Sequence, residues 1–144
     1  MLLLRRRKFP FAGYWVAPGG KVNLLEAPYE AAHRELLEET GLTAERLLLR
    51  GIVSESTVDA SFQTIIFFYV ASGLAGNLIS AGPEGELAWW HIREVSNIQI
   101  PEADKIFMLP ILDLGLDLYE AHFEYDEKLR LLNVRNQKGF CSGA

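Results

Sequence analysis

Three glutamates, Glu35, Glu38 and Glu39, crowd onto one narrow face of a helix that the sequence predicts between Pro28 and Gly41. At about 100° per residue, Glu38 lies roughly 60° to one side of Glu35 and Glu39 roughly 40° to the other. Like charges about 4–6 Å apart repel by roughly 3–4 kcal/mol per pair before screening, at an effective dielectric constant of about 20. A divalent cation relieves that repulsion, and Mg²⁺, Mn²⁺ and Ca²⁺ all accept hard carboxylate oxygens. The cluster therefore predicts a metal site, against the alternative of an ordinary solvated acidic helix.

These glutamates are part of a longer spacing pattern, and with it the chain resembles the Nudix hydrolases. Every fixed position and both aliphatic positions of that family's signature are present, as Gly20-x5-Glu26-x7-Arg34-Glu35-Leu36-x-Glu38-Glu39-x-Gly41-Leu42. The resemblance covers roughly Leu2 to Val134 and implies an α/β (α+β) fold, with a mixed β-sheet sandwiched between α-helices. It also implies a single hydrolase domain over residues 1–135.

The resemblance implies a ligand set for Mg²⁺, with Mn²⁺ as a substitute. The implied ligands are the three helix glutamates, the backbone carbonyl of Gly19 and a further glutamate that precedes a later strand: Gly19, Glu35, Glu38, Glu39 and Glu86. For Glu86, a surface position at a strand start is the alternative interpretation.

Catalytic roles follow from the same resemblance for Arg34, Glu35, Glu38 and Glu26. Glu35 or Glu38 would serve as the general base, and members of the family differ on which carboxylate does so. Arg34 would hold a carboxylate or a phosphate oxygen with its planar fork. Glu26 would steady the junction between loop and helix or reach a metal through water.

Candidate substrate-binding residues are cations for the phosphates and flat rings with a carboxylate for a base. A ring stacks on aromatic faces while a carboxylate binds its edge. These candidates are Lys21, Arg6, Trp15, Trp90 and Asp104. Solvent exposure for the cations and core packing for the aromatic residues are the alternatives. The layout resembles the branch of the family that hydrolyses oxidised purine nucleoside triphosphates, with two departures: Val16 stands where some members have asparagine, and Leu25 replaces a usual glycine.

The predicted function is metal-dependent hydrolysis of a nucleoside triphosphate, with 8-oxo-dGTP or a related purine as the leading candidate, to the monophosphate and pyrophosphate. A second hypothesis keeps the site and changes the substrate to ADP-ribose, a nucleotide sugar or a dinucleoside polyphosphate. A third is a nucleotide sensor without catalysis, which the intact signature disfavours.

Composition limits the partners and the setting. The 144 residues carry a net charge of −5, which disfavours a protein that binds the backbone of a nucleic-acid polymer. The single cysteine, Cys141, allows no disulfide within the chain, so a reducing cytoplasm is the expected setting. No run of about 20 apolar residues suggests a membrane span. The sequence leaves open whether the protein is a monomer or a homodimer.

The elements that must position these residues are predicted from periodicity and turn residues. Strands are expected at Leu2–Arg6, Leu47–Ser54, Phe62–Ala71, Glu86–Ile92, Tyr119–Tyr125 and Leu129–Val134. Besides the acidic helix, a second helix is expected at Glu102–Leu114, kinked at Pro110, and residues 136–144 are expected to fray. Family members usually have a strand ahead of Leu2–Arg6, so a partner subunit is one candidate to cover that edge.

Side-chain positions on the helical wheel give further expectations. Tyr29, Leu36 and Leu37 point away from the carboxylates and are expected to pack on a sheet. His33 points the same way and is expected to be packed or partly exposed. Pro28 suits the first turn and Gly41 a left-handed stop, while Ala27 predicts a weak N-cap. His91 and His122 show no spacing that indicates metal binding. The serines Ser54, Ser56 and Ser61 show no arrangement with a histidine that indicates a nucleophile system.

Overall fold

Eight strands and two α-helices form within residues 1–113, 115 and 117–136, the part of the chain that this computed structural model describes. A 3₁₀ turn at Ile92–Asn97 precedes the second helix. In chain order the elements are β1 (Leu2–Arg6), β2 (Trp15–Val16), α1 (Pro28–Thr40), β3 (Leu42–Thr57), β4 (Gln63–Gly76), β5 (Ala81–Gly82), β6 (Gly85–Trp89), α2 (Glu102–Leu112), β7 (Tyr119–Tyr125) and β8 (Leu131–Asn136).

The strands form two four-stranded sheets. The first has the order β2-β1-β6-β5, and its three pairs of neighbouring strands are antiparallel. The second has the order β4-β3-β7-β8, and it is mixed because β3 and β7 run parallel while β7 and β8 run antiparallel. This confirms the predicted mixed sheet. Since β1 lies between β2 and β6, both of its edges are paired within the chain, so a partner subunit is not needed to cover them.

The chain divides into two compact units, each described here by itself. The first comprises Met1–Leu47 and Ala71–Lys105. The second comprises Leu48–Val70 and the described residues from Ile106 onward. The strands β3 and β4 and the helix α2 each continue from one unit into the other.

Each unit has its own buried side chains. In the first unit, Leu3 and Leu4 of β1 and Leu87 of β6 are buried. Successive side chains of a strand point to opposite faces, so β1 is covered on both faces at Leu3 and Leu4. In the second unit, the rings of Phe68, Phe107 and Phe123 follow one another at centroid distances of 4.7 and 5.8 Å. Aromatic contacts of this geometry add to the stability from burial.

Local sequence determines both ends of α1. Pro28 lies in the first turn, where its missing N–H is not needed. Ala27 provides no side-chain cap, as predicted, and the Glu30 carboxylate accepts a hydrogen bond from the Ala27 N–H at 2.7 Å instead. Gly41 ends the helix in the left-handed conformation with φ 76°, and its N–H donates to the Leu37 carbonyl. Both predicted ends are therefore confirmed.

The face that α1 buries differs from the prediction. Tyr29 and Leu37 are 55% and 50% exposed, and His33 is exposed as well. Ala31, within the acidic face, is buried instead. The reason is that the Gly19–Gly20 loop packs on the carboxylate side, so this helix turns its charged face inward and leaves an apolar stripe in solvent.

Element boundaries show smaller differences. Strand β3 is longer than predicted at both ends, and β4 is longer at its C-terminal end. The sequence between Leu42 and Gly76 forms a long hairpin rather than two short strands. Asn136, which was predicted to fray, closes β8. The rest of the predicted tail, including Cys141, lies outside the described residues. No helix in the described ranges combines the length and the apolar character needed to cross a membrane.

Candidate active site

Arg34 lies at the centre of a charge network in the first unit. Its Nε and Nη2 donate to the two oxygens of Glu26 at 2.7 and 2.9 Å. Its Nη1 donates to Glu35 at 2.6 Å and to Glu38 at 3.2 Å, and Nη2 also donates to the Lys21 carbonyl at 3.0 Å. One guanidinium thus fixes the loop before the helix, the junction residue and two of the helix carboxylates. The predicted catalytic set, Arg34, Glu35, Glu38 and Glu26, is brought together.

This network changes the acidity of its members. The side-chain hydrogen bonds from Arg34, with a further one from the Asn23 backbone N–H, lower the pKa of Glu26 from 4.5 to about 2. The same carboxylates, Glu26 first and then Glu35, raise the pKa of Arg34 above its ordinary value. Glu26 is therefore an ionised structural partner of Arg34 at neutral pH, since a proton acceptor with so low a pKa has little affinity for a proton.

Two glycines bring the loop against the helix carboxylates. A Cβ added to Gly20 would lie 2.2 Å from Oε1 of Glu35, so a larger residue would push that carboxylate from the position in which Arg34 holds it. The Gly19 N–H donates to Oε2 of Glu39 at 2.8 Å. Both glycines of the signature loop therefore face the acidic side of α1.

Glu39 is the carboxylate most affected by burial. Desolvation raises its pKa from 4.5 to about 7, and the nearby charges of Glu35 and Glu84 act in the same direction. The Gly19 N–H and the Arg6 side chain act in the opposite direction without offsetting this effect. The first unit thus holds a half-buried acid whose desolvation the charge of Arg6 only partly offsets, and a bound cation would further stabilise its ionised form.

The donor set fits a hard divalent cation. Within the described residues, Glu35, Glu38 and Glu39 each have one carboxylate oxygen that accepts no hydrogen bond. The side chains do not converge into a ready group of three or more His, Cys, Asp or Glu ligands in the described ranges. Arg34 occupies the remaining oxygens of Glu35 and Glu38, and carboxylates of this kind are the ligands that Mg²⁺ prefers.

Glu86 lies apart from this network. Its carboxylate is 4.0 Å from the Arg5 guanidinium, opposite it in the β1–β6 pairing, and both side chains are more than half exposed. Glu84, two residues earlier, is the acid whose charge reaches Glu39, and it pairs with Lys8 at 3.2 Å. The role of Glu86 as a metal ligand stays a prediction.

The two predicted phosphate-binding cations have different surroundings. The Lys21 side chain is exposed while its carbonyl accepts from Arg34. The Arg6 Nε donates to the Pro10 carbonyl at 2.9 Å, and its charge is felt by Glu39. Arg6 is therefore held close to the carboxylates by a loop contact, whereas Lys21 remains free to move toward an anion.

Of the predicted base-binding residues, the two tryptophans are in contact. Trp15 is buried and meets Trp90 edge to face, with ring centroids 5.3 Å apart. Asp104 lies half-buried in the first turn of α2. The Trp90 Nε1–H is buried and donates to no acceptor in the described structure, although buried indole donors usually have a partner.

Sequence reasoning missed two sets of polar contacts in the second unit. The spacing of the serines and histidines did not predict that the Ser54 and Ser56 hydroxyls lie 2.7 and 3.0 Å from Nδ1 and Nε2 of His122. Tyr125 also donates to the Glu55 carboxylate at 3.0 Å, and burial raises the pKa of Glu55. Both contacts depend on the parallel pairing of β3 with β7, which no local signal in the sequence predicts.

Comparison with known proteins gives a family match. The family model described as NUDIX domain matches residues 1–111. The "Uncharacterized Nudix hydrolase YvcI" of Bacillus subtilis is 30% identical over 138 residues, which cover 94% of this chain and 85% of that protein.

Two further curated relatives match a shorter stretch. The "ADP-ribose pyrophosphatase" of Methanocaldococcus jannaschii is 34% identical over 88 residues, covering 61% of this chain and 52% of that protein. The "Putative 8-oxo-dGTP diphosphatase 3" of Mycobacterium tuberculosis is 34% identical over 91 residues, covering 61% and 42%. The chain therefore spans about half the length of these two relatives.

Among solved structures, the MutT protein from Bacillus halodurans is similar along nearly the whole chain. It superimposes with a TM-score of 0.84 at 33% identity, covering 94% of this chain and 88% of that one. This agreement confirms the predicted fold class.

Proposed function

This chain belongs to the Nudix hydrolase family, and from that membership we propose that it cleaves a phosphoanhydride bond of a nucleoside triphosphate, releasing the monophosphate and pyrophosphate. The observation that carries the proposal is the arrangement around Arg34, which fixes Glu26, Glu35 and Glu38 beside the Gly19–Gly20 loop. A solvated acidic helix would not need an inward-facing carboxylate side or a glycine that clears one carboxylate.

The side chains have separable tasks in this reaction. A bound Mg²⁺ or Mn²⁺ ion would neutralise phosphate oxygens and make water a better nucleophile. Glu35, Glu38 and Glu39 would hold that ion through their free oxygens, while Arg34 orients Glu35 and Glu38. Water forms a new bond to phosphorus as the bridging P–O bond breaks, and its proton passes to a carboxylate. We assign that proton to Glu38, because its side chain is 59% exposed whereas that of Glu35 is 16% exposed.

A purine triphosphate, with 8-oxo-dGTP as the leading example, is the proposed substrate. The unused Trp90 Nε1–H is a donor for a purine oxygen or nitrogen, and Trp15 stiffens the ring beside it. The name of the Mycobacterium tuberculosis relative agrees with this choice. ADP-ribose is the second candidate, favoured by the name of the Methanocaldococcus jannaschii relative. We also propose that the protein acts in the cytoplasm.

Glu38→Gln and Glu39→Gln variants test the mechanism, with Glu45→Gln as the matched control because Glu45 is an exposed acid on β3 outside the network. We expect each site variant to lower Mg²⁺-dependent turnover on the order of 100-fold or more, and the control to keep parental turnover. Pyrophosphate release from 8-oxo-dGTP, dGTP, dCTP and ADP-ribose measures both rate and substrate choice. Full turnover by folded Glu38→Gln and Glu39→Gln proteins would refute the mechanism, and tight nucleotide binding without hydrolysis would favour a sensor.

A further inference from the structure

One face of the mixed sheet in the second unit is open among the described residues. The pairing register places Ile52 beside Glu120 and Ser54 beside His122, and it sets Arg135 opposite His122. A shallow groove of about 390 Å³ runs along this face. Its lining residues are Ile52, Ser54, Ile65, Glu120, Ala121, His122, Arg135 and Asn136.

The two faces of this sheet differ in burial. On one face, Phe68 and Phe123 contact Phe107 of α2, and Phe123 is completely buried. On the open face, Ile65 and Phe67 of β4 are 57% and 38% exposed. Neighbouring aromatic and β-branched side chains in solvent are a typical mark of an interaction surface.

The imidazole of His122, at the centre of the open face, already has hydrogen-bond partners within the chain. Because both ring nitrogens of His122 are bonded to serine hydroxyls, Ser54 and Ser56, this group can lose water without leaving a nitrogen unpaired. A buried interface tolerates polar groups of that kind.

Two exposed charged side chains on the same face have no ion-pair partner among the described residues. Glu120 and Arg135 lie on the neighbouring strands β7 and β8, two residues out of register because Arg135 pairs with His122, and neither forms an ion pair with any residue of the described part of the chain. They have opposite sign, and both line the groove that the exposed Ile65 also lines. A patch that contains both an apolar area and two opposite, unpaired charges is complementary to a copy of itself.

We propose that this face binds a second copy of the chain across a two-fold axis. The axis would place Glu120 of each protomer against the partner's Arg135, while Ile65 and Phe67 fill the apolar part of the interface. A two-fold interface requires such self-complementarity. If a residue of one protomer contacts a second residue of the other, the same contact occurs in reverse. Glu124 lies on the same face beside Ser56, two residues beyond His122, and it would remain at the solvated rim. The proposal does not depend on the proposed substrate or mechanism.

Charge reversal tests the pairing. Analytical ultracentrifugation of the full-length protein from about 1 to about 200 µM should show a dimer for the parent. Glu120→Arg alone and Arg135→Glu alone should each weaken the dimer at least about tenfold, because every change places two like-charge pairs in one interface. The double variant Glu120→Arg/Arg135→Glu should restore the dimer. Arg93→Glu, an exposed reversal in the first unit, is the matched control and should leave the association unchanged.

Circular dichroism and thermal melting would establish that every variant is folded. A parent that stays monomeric over the whole range overturns the proposal, and this includes the outcome in which the groove takes a small molecule instead. A dimer that neither reversal weakens, or that the double variant fails to restore, overturns it as well. Turnover measured on the same samples is a separate readout, so a failed dimer and a failed hydrolase are distinguishable.

Discussion

Leu25 has a backbone conformation that suits glycine. Its φ is 65° and its side chain is 99% exposed, so the left-handed conformation is not compensated by burial. A non-glycine residue there costs roughly 1–2 kcal/mol. The departure from the family's usual glycine, visible in the sequence, thus has a physical consequence that only the backbone reveals.

We expect Leu25→Gly to be more stable than Leu25→Ala by about 1 kcal/mol, because alanine keeps the backbone strain and glycine removes it. The free energy of unfolding in urea measures the difference. The neighbouring Leu24 is 92% exposed without a positive φ, so it is the control. There the order should reverse, with alanine more stable than glycine by roughly 0.5–1 kcal/mol. The same order at both positions would argue against strain at Leu25.

Glu55 supplies a pH test at the same scale. Burial raises the pKa of Glu55, although the Tyr125 hydroxyl acts in the opposite direction. Its protonated form therefore stabilises the fold below the ordinary pKa near 4.5, and that contribution is lost as the pH rises through the higher folded-state pKa.

A Glu55→Gln variant keeps an acceptor for Tyr125 and cannot ionise. Its stability relative to the parent should be similar near pH 4, increase as the pH rises toward the raised folded-state pKa of Glu55, and level off above it, because only the parent then buries a charge. Urea unfolding across that range measures this difference, and Glu45→Gln on the exposed part of β3 should show no such trend. A flat difference for Glu55→Gln would mean that the carboxylate is solvated.

At the scale of elements, helix α1 is held by charge on its inner side. Both of its ends and its acidic face could be predicted from sequence, since Pro28, Gly41 and the glutamate spacing act locally. The burial of that acidic face could not, because it depends on a loop of two glycines folding against Glu35 and Glu39. The helical wheel also led us to expect Tyr29 and Leu37 on a packed face, whereas both are at least half exposed.

Gly19 and Gly20 form a matched pair for testing this contact. A Cβ on Gly20 would meet the Glu35 carboxylate, whereas a Cβ on Gly19 would have no atom within 4 Å. We therefore expect Gly20→Ala to lower Mg²⁺-dependent turnover on the order of 100-fold by displacing Glu35, and Gly19→Ala to change it little. Steady-state kinetics with a purine triphosphate measures both. Equal loss in the two variants would show that loop flexibility, rather than clearance for Glu35, is what matters.

For the whole molecule, the predicted metal site makes stability depend on Mg²⁺. A ligand that binds only the folded state at about 100 times its dissociation constant adds roughly 2.7 kcal/mol, which for a chain of this size raises the melting temperature by roughly 10 °C. Thermal scans in excess Mg²⁺ and in chelator should show that difference for the parent and Glu45→Gln. In Glu38→Gln and Glu39→Gln it should shrink or vanish, and an unchanged shift would place the ion elsewhere.

Long-range pairing marks the limit of sequence reasoning at this scale. The Nudix signature lies within one loop and one helix, so its chemistry could be predicted from adjacent residues. The contacts of Ser54 and Ser56 with His122 join residues far apart in the chain. They depend on a parallel strand pair whose strands are not connected by a turn, so no turn residues predict the pairing. The open sheet face, with Glu120 and Arg135, depends on the same pairing.

The inward-facing carboxylates of α1 also bear on how such an enzyme could be made more heat-tolerant. Glu39 is desolvated and Glu35 adds to its electrostatic cost, so neutral replacements there would favour the metal-free fold. A laboratory selection for survival at high temperature, run without divalent ions, would therefore accumulate inactive proteins. Including the cation and the nucleotide during selection would reverse the direction in which the population drifts.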